Sequence, residues 1–92
     1  MALMMTRIHV DDFDTWKAMF DTDPPGVRAS ATGHRLFRTA DDANEVSLAV
    51  EFESVADAEE ARAKLLASGV LDRVQLRVPP TIVELAEAKT YA

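Results

Sequence analysis

The chain has 92 residues, 48% of them apolar and 28% charged, with a formal charge of −6 and no cysteine. That acidic balance, with its ten Lys and Arg scattered, argues against nucleic acid and anionic membrane surfaces as partners. The missing thiols exclude disulfides, thiolate catalysis and zinc sites built on cysteine.

The opening "MALMMTRIHV" is apolar only from Ala2 to Met5. A secretory signal needs a longer run, and a membrane span needs ~20 apolar residues. A soluble, cytoplasmic chain forming a single domain over residues 1–92 is expected. A domain this small buries only about two-thirds of its unfolded surface, so association with a second copy is expected to add burial.

Met4, Thr6, Ile8 and Val10 alternate with Leu3, Met5, Arg7 and His9, the period of a strand. In "VDDFDTWKAMFD" the period changes, and Phe13, Trp16 and Phe20 fall on one helical face, with Asp11 or Asp12 as N-cap. Asp23, Pro24, Pro25 and Gly26 end that helix in a loop placed to shape an entrance. Thr32 to Thr39 reads as a second strand. Val46, Leu48, Val50 and Phe52 alternate with Ser47, Ala49, Glu51 and Glu53 in a third. Ser54 with Asp57 resembles a capping box. Ala58, Ala61 and Leu65 share a helical face behind it, and Gly69 supplies the stop. "VLDRVQLRV" fits a short helical turn, Pro79 and Pro80 break the chain, and "TIVELAEAK" reads as the last strand, although its Ala and Glu content also suits a helix.

Strand, helix, strand, repeated once, predicts an α+β ferredoxin-like βαββαβ fold, a four-stranded antiparallel sheet with two helices on one face. The other sheet face is left open. Placing Val46, Leu48, Val50 and Phe52 under the helices sends Ser47, Ala49 and Glu51 to the open face, and on the first strand sends Met5, Arg7 and His9 there. A four-residue hairpin loop, Asp41 to Asn44, pairs Ala40 with Glu45. Arg38 then stands opposite Ser47, Leu36 opposite Ala49 and His34 opposite Glu51, with Phe37 beneath the helices. A loop of three or five residues reverses this assignment.

The element order, the helix "DDFDTWKAMFD" and the hairpin "GHRLFRTADDANEVSLAVEFES" together resemble the dimeric α+β barrel superfamily. The nearest look is to its small antibiotic-biosynthesis-monooxygenase-like and polyketide-cyclase-like proteins. The resemblance implies a homodimer with sheets face to face and a small, largely apolar ligand. Activities of the superfamily include cofactor-independent oxidation of polycyclic phenols, polyketide cyclisation and haem degradation. The first strand offers Arg7 and His9 where the haem-degrading branch has an Asn, and the chain's one Trp and one Tyr are Trp16 and Tyr91.

His34 with Glu51 is the candidate catalytic pair, because a carboxylate beside an imidazole fixes its tautomer and suits it to take a phenolic or enolic proton. The same residues also fit a plain cross-strand pair worth roughly 0.2–1 kcal/mol. Arg7, His9, Leu36, Arg38 and Ser47 are expected to line a partly apolar ligand site, with Trp16 either core or pocket edge. No ligand spacing signals a metal, and no cofactor is expected. Two functions fit: a cofactor-independent monooxygenase or cyclase of secondary-metabolite type, or a non-catalytic ligand-binding or assembly module.

Overall fold

A computed structural model describes residues 1–24 and 26–92 of the chain. Its elements are β1 (Ala2–His9), α1 (Phe13–Asp21), β2 (Gly33–Thr39), β3 (Asp42–Phe52), α2 (Val55–Ser68) and β4 (Gln75–Glu84), with short 3₁₀ turns at Val27–Ser30 and Val70–Arg73. The strands form one antiparallel sheet in the order β2-β3-β1-β4. This is the ferredoxin-like arrangement. Among the described residues no helix is long and apolar enough to cross a membrane.

The caps act where the sequence puts them. Asp12 accepts the Thr15 backbone N–H at 2.9 Å and the Thr15 hydroxyl at 2.7 Å. Ser54 Oγ accepts the Asp57 N–H at 3.1 Å, and Gly69 closes α2 at φ 73°, a conformation open to glycine because it lacks a Cβ. α1 ends at Asp21, before the loop at Pro24; Pro25 lies outside the described residues, so the expected entrance loop is described only in part.

Two apolar clusters form between sheet and helices. Met4, Val50 and Phe52 meet Ala58 and Ala61 of α2, whose small side chains let the helix lie close to the sheet. Ile8, Val10 and Val46 meet Trp16 of α1, with Phe13, Phe20, Leu36 and Leu48 packed around them. On β1 the expected alternation holds: Met4, Thr6 and Ile8 are buried while Met5 and Arg7 are exposed.

The β2–β3 hairpin differs from the expected register. Its turn is tight, at Ala40 and Asp41, and Thr39 pairs with Asp42. The ladder then jumps, so that Arg38 pairs with Val46, Phe37 with Ser47, Leu36 with Leu48, Arg35 with Ala49, His34 with Val50 and Gly33 with Glu51. That register is one residue away from the expected one, and a slip of one exchanges the faces of every β2 side chain. The intervening residues have another task. Asn44 Oδ1 accepts the Phe13 N–H at 3.0 Å, Asn44 Nδ2 donates to the Asp11 carbonyl at 3.3 Å, and the Asn44 carbonyl accepts the Val10 N–H at 2.9 Å. They tie the hairpin to the start of α1, and Arg38 Nε donates across the bulge to the Ala43 carbonyl at 3.0 Å.

β4 is the second difference. It starts at Gln75, runs through Pro79 and Pro80, and ends at Glu84, short of Lys89. An edge strand tolerates proline because one side of its ladder is unpaired, and the pairing with β1 shifts between Met5 and Arg7 where the prolines pass.

Candidate functional site

The sheet's two faces carry two different environments. Beneath the helices lies a small apolar cavity of about 80 Å³, open to solvent at one side and floored by Met4, Thr6, Ile8, Leu48 and Val50. Trp16 and Phe20 of α1 form one wall, with centroids 5.0 Å apart, and Leu65, Leu71 and Val74 contribute from the α2 side. Thr6 is the polar side chain of that floor. At the cavity's edge Asp23 accepts the Arg28 backbone N–H at 3.0 Å and pairs with Arg28 Nε at 3.5 Å. The Arg28 guanidinium lies 3.7 Å over the Phe20 ring and donates to the Phe20 carbonyl. Asp23 adopts φ 47°, in the left-handed region that Asp tolerates better than most residues.

His34 and Glu51 do not face each other. His34 stands on the helix side, edge-on to Phe20 with centroids 5.3 Å apart, while Glu51 shares the open face with its neighbour across β1, Leu3. Glu51 has Thr32 Oγ1 as a partner, at 3.2 Å. Leu36 is likewise beneath the helices, packed with Leu48, and Arg38 covers the Phe13 ring at 4.1 Å. Phe37, expected beneath the helices, is 54% exposed beside Ser47 on the open face. The physical reason is the register slip: β2 is an edge strand, and its polar side chains can lie along the aromatic ridge of α1 with their ends in water. Trp16 is both core and cavity wall.

Arg7, His9 and Ser47 do lie on the open face, and the structure adds Glu45 to them. Glu45 is buried at 6% exposure. Its Oε2 accepts Arg7 Nε at 2.9 Å, its Oε1 accepts Arg77 Nε at 3.4 Å, and His9 Nδ1 stands 3.7 Å from Oε1. His9 Nδ1 is buried and has no hydrogen-bond partner among the described residues. The imidazole–carboxylate pair sought at His34 and Glu51 therefore occurs at His9 and Glu45. The sequence held the signal: Glu45, Ser47, Ala49 and Glu51 alternate on one face, and antiparallel pairing with β1 brings Glu45 to His9. Assigning Glu45 to the end of the hairpin, opposite Ala40, concealed it.

One oxygen or nitrogen each from His9, Asp42 and Glu45 lies within 4.8 Å of the others, a spacing compatible with a metal ion. The two guanidiniums on Glu45 oppose a cation there.

No family model matches the chain, and no curated protein matches it. Among solved structures it is similar to "Structure of Rv0793 from Mycobacterium tuberculosis", at a TM-score of 0.62 and 19% sequence identity over 99% of this chain and 98% of that one. The likeness covers both chains nearly end to end, and at that identity it concerns the fold.

Proposed function

We propose that the chain is a homodimeric ligand-binding protein of the dimeric α+β barrel type, which takes a small, largely apolar or aromatic molecule without transforming it. The observation that carries this reading is the cavity between sheet and helices: apolar walls, a stacked Trp16–Phe20 pair, one hydroxyl in the sheet floor and a charged pair at the edge. Small-molecule sites combine apolar lining with few polar groups in this way. The homodimer is supported by Met5, Phe37 and Val78, which are 43%, 54% and 43% exposed on the face without helices.

A cofactor-independent oxygenase or cyclase needs a group in the cavity to take a proton from a phenol or enol. The ionisable side chains lining this cavity, Asp23 and Arg28, are engaged with one another, and His9 with Glu45 lies on the opposite sheet face. Binding alone is the better-supported reading.

Trp16 emission gives a direct test. Titration with a panel of small aromatic compounds should produce a saturable change that Leu71→Phe, which fills the cavity wall, weakens at least tenfold. No saturable change across the panel, or binding indifferent to Leu71→Phe, overturns the proposal. Oxygen uptake or a product of altered mass overturns its non-catalytic part.

A further inference from the structure

The open face contains an arrangement that the proposed cavity ligand does not use. Arg7 and Arg77 come from the neighbouring strands β1 and β4, and both turn their Nε atoms to the one buried carboxylate of Glu45. Their side chains are 50% and 48% exposed. Each guanidinium has terminal amino donors beyond its Nε, and among the described residues those donors have no partner. Two positive charges thus share one buried negative charge, and the exposed carboxylate of Asp42 stands within 4.8 Å of Glu45 and His9. Arg35 stands on the same face one strand pair away, opposite Ala49.

The surroundings of this fork are apolar on one side and across the sheet. Register places Phe37, Ser47, Arg7 and Val78 in one row over β2, β3, β1 and β4. Strands lie ~4.8 Å apart, so Phe37 and Arg7 are about 10 Å apart between backbones, the length of a small aromatic body. Ser47, between them, offers no bulk.

We propose that Arg7 and Arg77, held by Glu45, bind the carboxylate of an organic acid whose apolar body lies over Ser47 against Phe37. Planar guanidinium pairs suit a carboxylate, whose two oxygens can accept from both forks. Phe37 at one end of the row selects an aryl or alkyl acid over an inorganic anion. This site lies on the opposite sheet face from the cavity, so it stands or falls separately from the proposed cavity ligand; in a face-to-face dimer it would lie between the sheets.

Calorimetric titration of the intact chain with naphthoate, naphthamide and inorganic phosphate tests it. Naphthoate should bind, naphthamide and phosphate should bind at least tenfold more weakly, and Arg7→Gln and Arg77→Gln should each weaken naphthoate at least tenfold. Leu71→Phe should leave naphthoate binding unchanged, which separates this site from the cavity. Folding of each variant is checked by circular dichroism, and Arg77→Lys, which keeps the charge and loses the planar fork, should fall between wild type and Arg77→Gln. Three results overturn the proposal: phosphate binding as tightly as naphthoate; naphthoate binding indifferent to both arginine variants; or arginine variants that change the sedimenting mass and leave naphthoate binding intact, which would make the arginines an interface feature only.

Discussion

Trp16 stacks on Phe20 with ring centroids 5.0 Å apart and an interplanar angle of 29°, and the same two rings wall the cavity. One aromatic pair therefore serves both the core and the candidate binding surface, and substitutions there must be read in both terms. Trp16 is 9% exposed and sits in the cluster with Ile8, Val10 and Val46. Trp16→Ala should destabilise the fold by about 3–5 kcal/mol, the usual cost of emptying a buried aromatic position. Trp16→Phe, which retains a ring against Phe20, should cost less than about half of that. Chemical denaturation of the two variants checks this, and a Trp16→Ala cost within about 0.5 kcal/mol of zero, the range of surface substitutions, would overturn it.

Asp12 holds the start of α1. The hydrogen bonds from the Thr15 side chain and backbone lower its carboxyl below the usual 3.8, with a smaller contribution from the nearby Arg38 charge. A carboxyl with a folded value below its unfolded one stabilises the fold above the unfolded value, and that stabilisation disappears as pH falls through the folded value. The melting temperature of Asp12→Ala should lie below that of the native chain at pH 7, and the gap should shrink once the pH is taken below the ordinary carboxyl range. A gap that stays constant as the pH is taken well below that range would mean that packing, and not the charged cap, holds the helix start.

The elements were largely legible in the sequence because each had a local physical cause. Asp12 and Ser54 announce helix starts, Gly69 announces a stop, and the alternation from Met4 to Ile8 assigns β1 to its two faces. What was not legible was non-local. The hairpin's register depends on Asn44 reaching Phe13 and Asp11, contacts 31 and 33 residues away in sequence, and a bulge that serves α1 cannot be counted from the hairpin itself. The parity error then moved His34, Leu36 and Arg38 to the wrong face together. Glu45 escaped for the same reason: its partners Arg7, His9 and Arg77 lie on two other strands. The prolines of β4 misled differently, because their tolerance depends on the strand being at the sheet's edge.

Glu45 is the next test, since it is the group on which three other side chains converge. Glu45→Ala should destabilise by about 1.5–3 kcal/mol, the scale of hydrogen bonds to charged groups. The half-exposed guanidiniums of Arg7 and Arg77 can return to water, which limits the cost. Arg7→Ala in the native and Glu45→Ala backgrounds completes a double-mutant cycle. A coupling energy indistinguishable from zero would show that the Arg7–Glu45 contact is geometric only.

Leu36 and Phe37 are adjacent on β2 and point to opposite faces, so they separate the fold from the proposed assembly. Leu36 packs with Leu48 and the α1 cluster, and Leu36→Ala should destabilise by about 2–5 kcal/mol at the buried extreme, less here because Leu36 is only half-buried. Phe37 is 54% exposed beside Ser47. Phe37→Asp should leave monomer unfolding within about 0.5 kcal/mol, as surface substitutions usually do, while introducing a charge into the face proposed to meet a second copy. Under that proposal the native chain sediments as a dimer and Phe37→Asp as a monomer, with a dissociation constant raised at least tenfold. The two variants together discriminate the register as well as the assembly. If Phe37→Asp unfolds the chain while Leu36→Ala does not, the β2 side chains face the other way; if Phe37→Asp stays folded and the oligomeric state is unchanged, the open face is not where the copies meet.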